Sequence, residues 1–168
     1  LVPGFWFLDW VVIPDHLTLS LAMRLVCAAY AVVILWLTWR RPRMIERRVT
    51  LFSVSFSLLV AWSIAMMCFL HTGYESPYYA GINLLVLSVG LLYSWSARTA
   101  VLFNLGVYLF YLGPLLLGLL AIHDTTAAVS NQVFLLSTMV VTVVAQGYRR
   151  QLERNEFYAK ATQERLES

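Results

Sequence analysis

The sequence predicts an all-α integral membrane bundle, and three observations carry that prediction. At 60% hydrophobic and 12% charged over 168 residues, the chain falls well below the roughly 25% charged content of a soluble domain. Its apolar residues come in runs near the roughly 20 residues that cross about 30 Å of hydrocarbon. Its basic residues gather at the ends of those runs rather than along one water-facing surface.

Five spans follow, at 17–39, 49–70, 78–95, 99–121 and 127–148. The segment "LVPGFWFLDWVVIP" ahead of the first is apolar and aromatic but broken by Pro3, Asp9 and Pro14. It reads as an interfacial segment or the exit end of an earlier helix. Between the first two spans "RRPRMIERR" carries Arg40, Arg41, Arg43, Arg47 and Arg48. Arg98 separates the third and fourth, and Arg149, Arg150, Arg154, Lys160 and Arg165 follow the fifth. Thus 11 of 12 basic residues lie on one side, which the positive-inside rule makes cytoplasmic. Asp15, Glu75 and Asp124 face the other way. An odd number of spans puts Leu1 outside, so a sixth helix is expected ahead of the five, with both termini of the native protein in the cytoplasm.

Residues 1–148 form the expected membrane unit, and 149–168 a cytoplasmic linker. "YRRQLERNEFYAKATQERLES" has mixed charge and no proline, and it continues the fifth span as a helix. Leu152, Ala159 and Leu166 recur every seven residues, with Asn155 and Thr162 between them. That is a thin coiled-coil seam of the kind that pairs two copies, against the plainer reading of a solvated helix end.

Inside the membrane, Ser53, Ser57, Ala61 and Ala65 repeat every four residues, the spacing that lets helices pack closely. Asn131, Thr138, Thr142 and Gln146 form a polar stripe on the fifth span. Asn104, Tyr108 and Tyr111 form a second on the fourth, where Pro114 weakens the outer half. Polar groups in lipid must pair across helices or line a cavity, and both readings stand. Arg24 lies about 10 Å into the first span. It either snorkels outward to an acid or faces the bundle and holds a ligand.

His16, His71 and His123 all fall at the outer boundary, a thin basis for a transition-metal site. Cys27 and Cys68 sit within apolar runs, as small buried hydrophobes do. No HExxH or GxSxG motif is present, no aspartate lies deep in a span, and nothing calls for a cofactor or nucleic acid.

Two stretches carry a resemblance. "FWFLDWVVIPDHLTLSLAMRL" (5–25) and "SPYYAGINLLVLSVGLLYSW" (76–95) resemble the helix entries of bacterial six-helix sensor domains. Such domains precede the catalytic parts of membrane histidine kinases, including quorum-sensing kinases for α-hydroxyketones, and similar ones precede class III adenylate cyclases. The resemblance implies a non-catalytic sensor whose tail continues into a covalently attached kinase or cyclase.

The expected function is a homodimeric receptor module for a small lipophilic ligand or a membrane state, with lipids as its surroundings. Arg24 is the expected polar anchor. His71, Tyr74, Tyr78, Tyr108 and Tyr111 form walls with polar handles, and Asn83, Asn104 and Gln132 supply amide hydrogen bonds. A small transporter or channel, and a passive dimerising anchor, are the alternatives.

Overall fold

A computed structural model describes residues 16–70, 73, 76, 78–117, 122 and 124–167, apart from the side chains of 46, 47, 161 and 163–167. The described residues form five helices and no strand. They are α1 (Leu17–Arg40), α2 (Pro42–Leu70), α3 (Tyr79–Leu92), α4 (Ala97–Leu116) and α5 (Thr125–Glu167). Four stretches are long and apolar enough to cross a membrane: Leu17–Arg40, Arg48–Leu70, Ala97–Leu116 and Thr125–Lys160.

The basic "RRPRMIERR" stretch is helical from Pro42 onward rather than an open loop. Arg41 leaves the helical region (φ −140°, ψ 64°), as the residue before a proline tends to do. Pro42 then opens α2, where its missing N–H is no loss. A break at Arg48 (φ −127°, ψ 17°) turns this short basic piece away from the membrane-spanning part.

The third expected span, 78–95, is corrected to a helix of 14 residues. At about 1.5 Å per residue it rises roughly 21 Å, well short of the hydrocarbon thickness. The helix ends because Tyr93 is extended (φ −108°, ψ 132°). Its indole neighbour Trp95 turns inward, 4% exposed, and donates from Nε1 to Ser53 Oγ at 3.0 Å. Ser96 then caps α4, its Oγ accepting the Thr99 N–H at 3.1 Å. Four irregular residues, 93–96, thus join α3 to α4.

The helix α4 ends at Leu116, two residues past Pro114, short of the expected residue 121. At the start of α5, Asp124 Oδ1 accepts the N–H groups of Thr126 and Ala127 at 2.9 and 3.1 Å. From there α5 runs unbroken for 43 residues, on the order of 64 Å.

Packing contacts close a ring, α2–α3–α5–α4 and back to α2, with α1 laid against α2 from outside. Ala61 and Ala65 from α2, Ile82 and Val86 from α3, Phe103 and Val107 from α4, and Leu135 and Met139 from α5 fill the middle. The α2 small-residue stripe does what its spacing predicts: Ser57, Ala61 and Ala65 are buried. Both cysteines are buried free thiols. The outward faces carry Leu, Val and Trp, including Leu35, Trp39, Leu84, Leu102 and Val140, as a surface bathed in lipid requires.

Candidate functional site

The helices α3 and α5 run in the same direction, and their shared seam is the tightest in the bundle. Gly90 lies so close to Thr142 that an added Cβ would fall 2.8 Å from the threonine Cβ. One turn on, Gln146 Nε2 donates to the Val89 carbonyl at 3.4 Å. Beyond it the Arg149 guanidinium donates to the Leu91 carbonyl. Arg149 Nε also lies 3.3 Å from Glu153 Oε1, which accepts from Ser94 Oγ at 2.7 Å. The end of α3 is therefore fastened to α5 where α5 leaves the apolar region.

The polar stripe of α5 faces this seam more than it faces α4. Thr138 and Thr142 spend their hydroxyls on their own helix, donating to Phe134 and Met139 carbonyls at 2.9 Å each. Across the ring, Asn104 Nδ2 donates to the Met139 carbonyl at 3.4 Å. Both interhelical amide bonds exceed the usual 2.7–3.2 Å, so neither clamps its helix pair hard.

Among the described residues, four buried side-chain atoms lack a hydrogen-bond partner: Asn83 Nδ2 and Oδ1, Gln132 Oε1 and Gln146 Oε1. Every one belongs to α3 or α5. Asn83 is only 4% exposed. By helix rise from the Gly90–Thr142 contact it is level with Leu135, and Gln132 lies about 4.5 Å further from the basic end. An unsatisfied buried amide costs about 1–3 kcal/mol, so this level of the bundle is where a polar guest gains most.

The other expected ligand residues divide between two places. Arg24 and Tyr78 meet around Met23 and Met67, far from the basic end. Arg24 Nη2 points at Met67 Sδ, 3.8 Å away, and half-buried Tyr78 packs against the Met23–Met67 cluster. Asn104 and Tyr108 instead line a groove of about 360 Å³ between α4 and α5 with Leu136 and Met139. Tyr111 is buried in the core. His71, Tyr74 and His123 lie outside the described residues, and His16 is exposed. No group of three His, Cys, Asp or Glu residues gathers among the described residues.

Of the linker residues, Leu152, Asn155, Ala159 and Thr162 are exposed on α5. The side chain of Leu166 lies outside the described residues. Thr162 Oγ1 donates to the Tyr158 carbonyl at 2.8 Å.

Sequence reasoning missed Gly90, Ser94 and the Arg149–Glu153 pair as parts of the seam. A glycine inside an apolar helix was the available signal for Gly90. Nothing local foretold Ser94.

No curated protein matches the chain, and no solved structure does. The family comparison matches residues 7–167 to MASE8, and across that length the chain belongs to this family of membrane-associated sensor domains.

Proposed function

We propose that this chain is the sensing module of a homodimeric signalling protein of the bacterial cytoplasmic membrane. A small lipophilic ligand with polar groups, or a change in the membrane, shifts the α3/α5 seam between two packings. The helix α5 carries that shift along residues 149–168 to an attached kinase or nucleotide cyclase. One observation carries the reading. All the unpartnered buried polar atoms among the described residues lie on α3 and α5, and α5 is also the helix that leaves the bundle. A guest that bonds Asn83 and Gln132 in only one packing has the differential affinity that any switch requires.

The test is thermal unfolding of the purified protein titrated with fractions of bacterial culture and lipid extracts. Wild type is expected to gain stability from an active fraction, and Asn83→Leu to lose that response. A fraction that stabilises both equally removes the amides from the site.

A further inference from the structure

The groove between α4 and α5 does not end inside the membrane. The Asn104–Met139 hydrogen bond sets an antiparallel register between the two helices. In that register Val101 lies across from about Thr142, and Ala97 from about Gln146. The apolar groove is walled by Val101, Leu105 and Tyr108 on α4 and by Leu136, Val140 and Val144 on α5. An open cleft of about 920 Å³ takes over one turn further along. Its walls include Ala97, Gly147, Arg150, Arg154 and Tyr158. At about 100° per residue, Leu136, Val140, Gly147, Arg150, Arg154 and Tyr158 share one face of α5. Groove and cleft thus follow one another along that face, greasy first and cationic after.

The charges are placed for an outside partner. Glu153, the acid in the cleft wall, is already engaged by Arg149 and Ser94. Arg150 and Arg154 have no ion-pair partner among the described residues, and both are exposed. Gly147 stands at the junction, and a Cβ there would meet nothing within 4 Å. The junction therefore has room for a side chain to start there without a clash at Cβ.

We infer that this channel binds an anionic phospholipid, with an acyl chain along the α4/α5 groove and its phosphate between Arg150 and Arg154. The order of surfaces matches the order of parts in that molecule. The change from apolar to cationic also falls where α5 leaves the apolar run, the depth of a lipid headgroup. Arg154 lies roughly 140° around α5 from Arg149 and roughly 150° from the Leu152–Ala159 line, while Glu153 stands in the cleft wall itself. The inference needs no part of the sensor reading.

The experiment is native mass spectrometry of the protein purified in detergent, with phosphatidylglycerol and phosphatidylcholine of matched chains added in competition. A cationic residue near a charged membrane surface contributes about a fivefold preference, so two give roughly 25-fold retention of phosphatidylglycerol. Arg150→Gln with Arg154→Gln is expected to bring the two lipids level. Gly147→Trp, which blocks the junction and leaves the arginines, is expected to lower phosphatidylglycerol retention severalfold, with helix content by circular dichroism unchanged. Equal retention of both lipids by wild type overturns the inference. So does retention that survives the double arginine change. Competition by glycerol phosphate as effective as by the intact lipid overturns the acyl-chain half, leaving an anion site alone.

Discussion

Replacing Gly90 with alanine puts a carbon where Thr142 already is. The new Cβ falls 2.8 Å from the threonine Cβ, 2.9 Å from Cγ2 and 3.6 Å from Cα. Carbon atoms settle at about 3.5–4.0 Å. The nearest atom is fixed to the α5 backbone, so no rotamer change relieves the clash, and the helices must part by something near 0.7 Å. Overpacking of this kind costs about 1–3 kcal/mol. Against it, alanine in place of a helical glycine returns about 0.5–1 kcal/mol. The balance is a loss of about 0–2.5 kcal/mol, centred near 1, or a melting point lower by a few degrees for a chain of this size. Thermal unfolding in detergent micelles, followed by circular dichroism, measures it. Thr142→Gly added to Gly90→Ala removes the opposing carbon, and the pair should be less destabilised than the sum of the single changes by about 1 kcal/mol. Gly147→Ala is the control, because its Cβ meets nothing; it should be neutral or slightly stabilising. A Gly90→Ala protein that melts at or above wild type refutes the close approach of α3 and α5.

Ser53→Ala leaves the buried Trp95 N–H without its acceptor and is expected to cost about 1–3 kcal/mol. Trp95→Phe on top of it should cost less than that change predicts, since no donor is then stranded; urea or thermal unfolding separates the cases. In the absence of any added extract, Asn83→Leu is expected to stabilise the protein by about 1 kcal/mol, because it removes an amide with neither atom paired. A lower melting point for that variant would mean that the amide is satisfied in the folded protein.

The spans were legible because lipid leaves so little choice. Apolar runs near 20 residues can only be helices there, and the ends of α1, of the α2 span and of α3 at Tyr79 fall within a residue or two of the expected bounds. The far end of α3 was not legible. "LLYSWS" carries no proline, glycine or charge to mark a stop, yet the backbone turns extended at Tyr93 and Trp95 reaches Ser53 across 42 residues. The polar stripe of α5 was readable as a stripe, but its direction was not. Thr142 turns to α3 because Gly90 makes room there, a fact about a neighbour rather than about α5. Arg24 shows the same limit from the other side. Its depth in the span was plain, whereas its approach to the Met67 sulfur depends on how α1 leans against α2.

The brevity of α3 has a mechanical meaning. Its helical rise of about 21 Å stands beside an α1 of about 36 Å, so the bundle presents the bilayer with a rim of unequal height. Leu84, Leu87, Leu91 and Leu92 on the low side face outward, and acyl chains must shorten or tilt there to keep them covered. Mismatch of this sort carries a fraction of a kcal/mol for each ångström. We expect a thicker bilayer to load α3, and the Arg149–Leu91 and Ser94–Glu153 contacts to pass that load to α5. Reconstitution in lipids of graded chain length should alter hydrogen exchange at 91–96 and 149–153 together. Exchange that is indifferent to thickness would show that the short side of the rim bears no load.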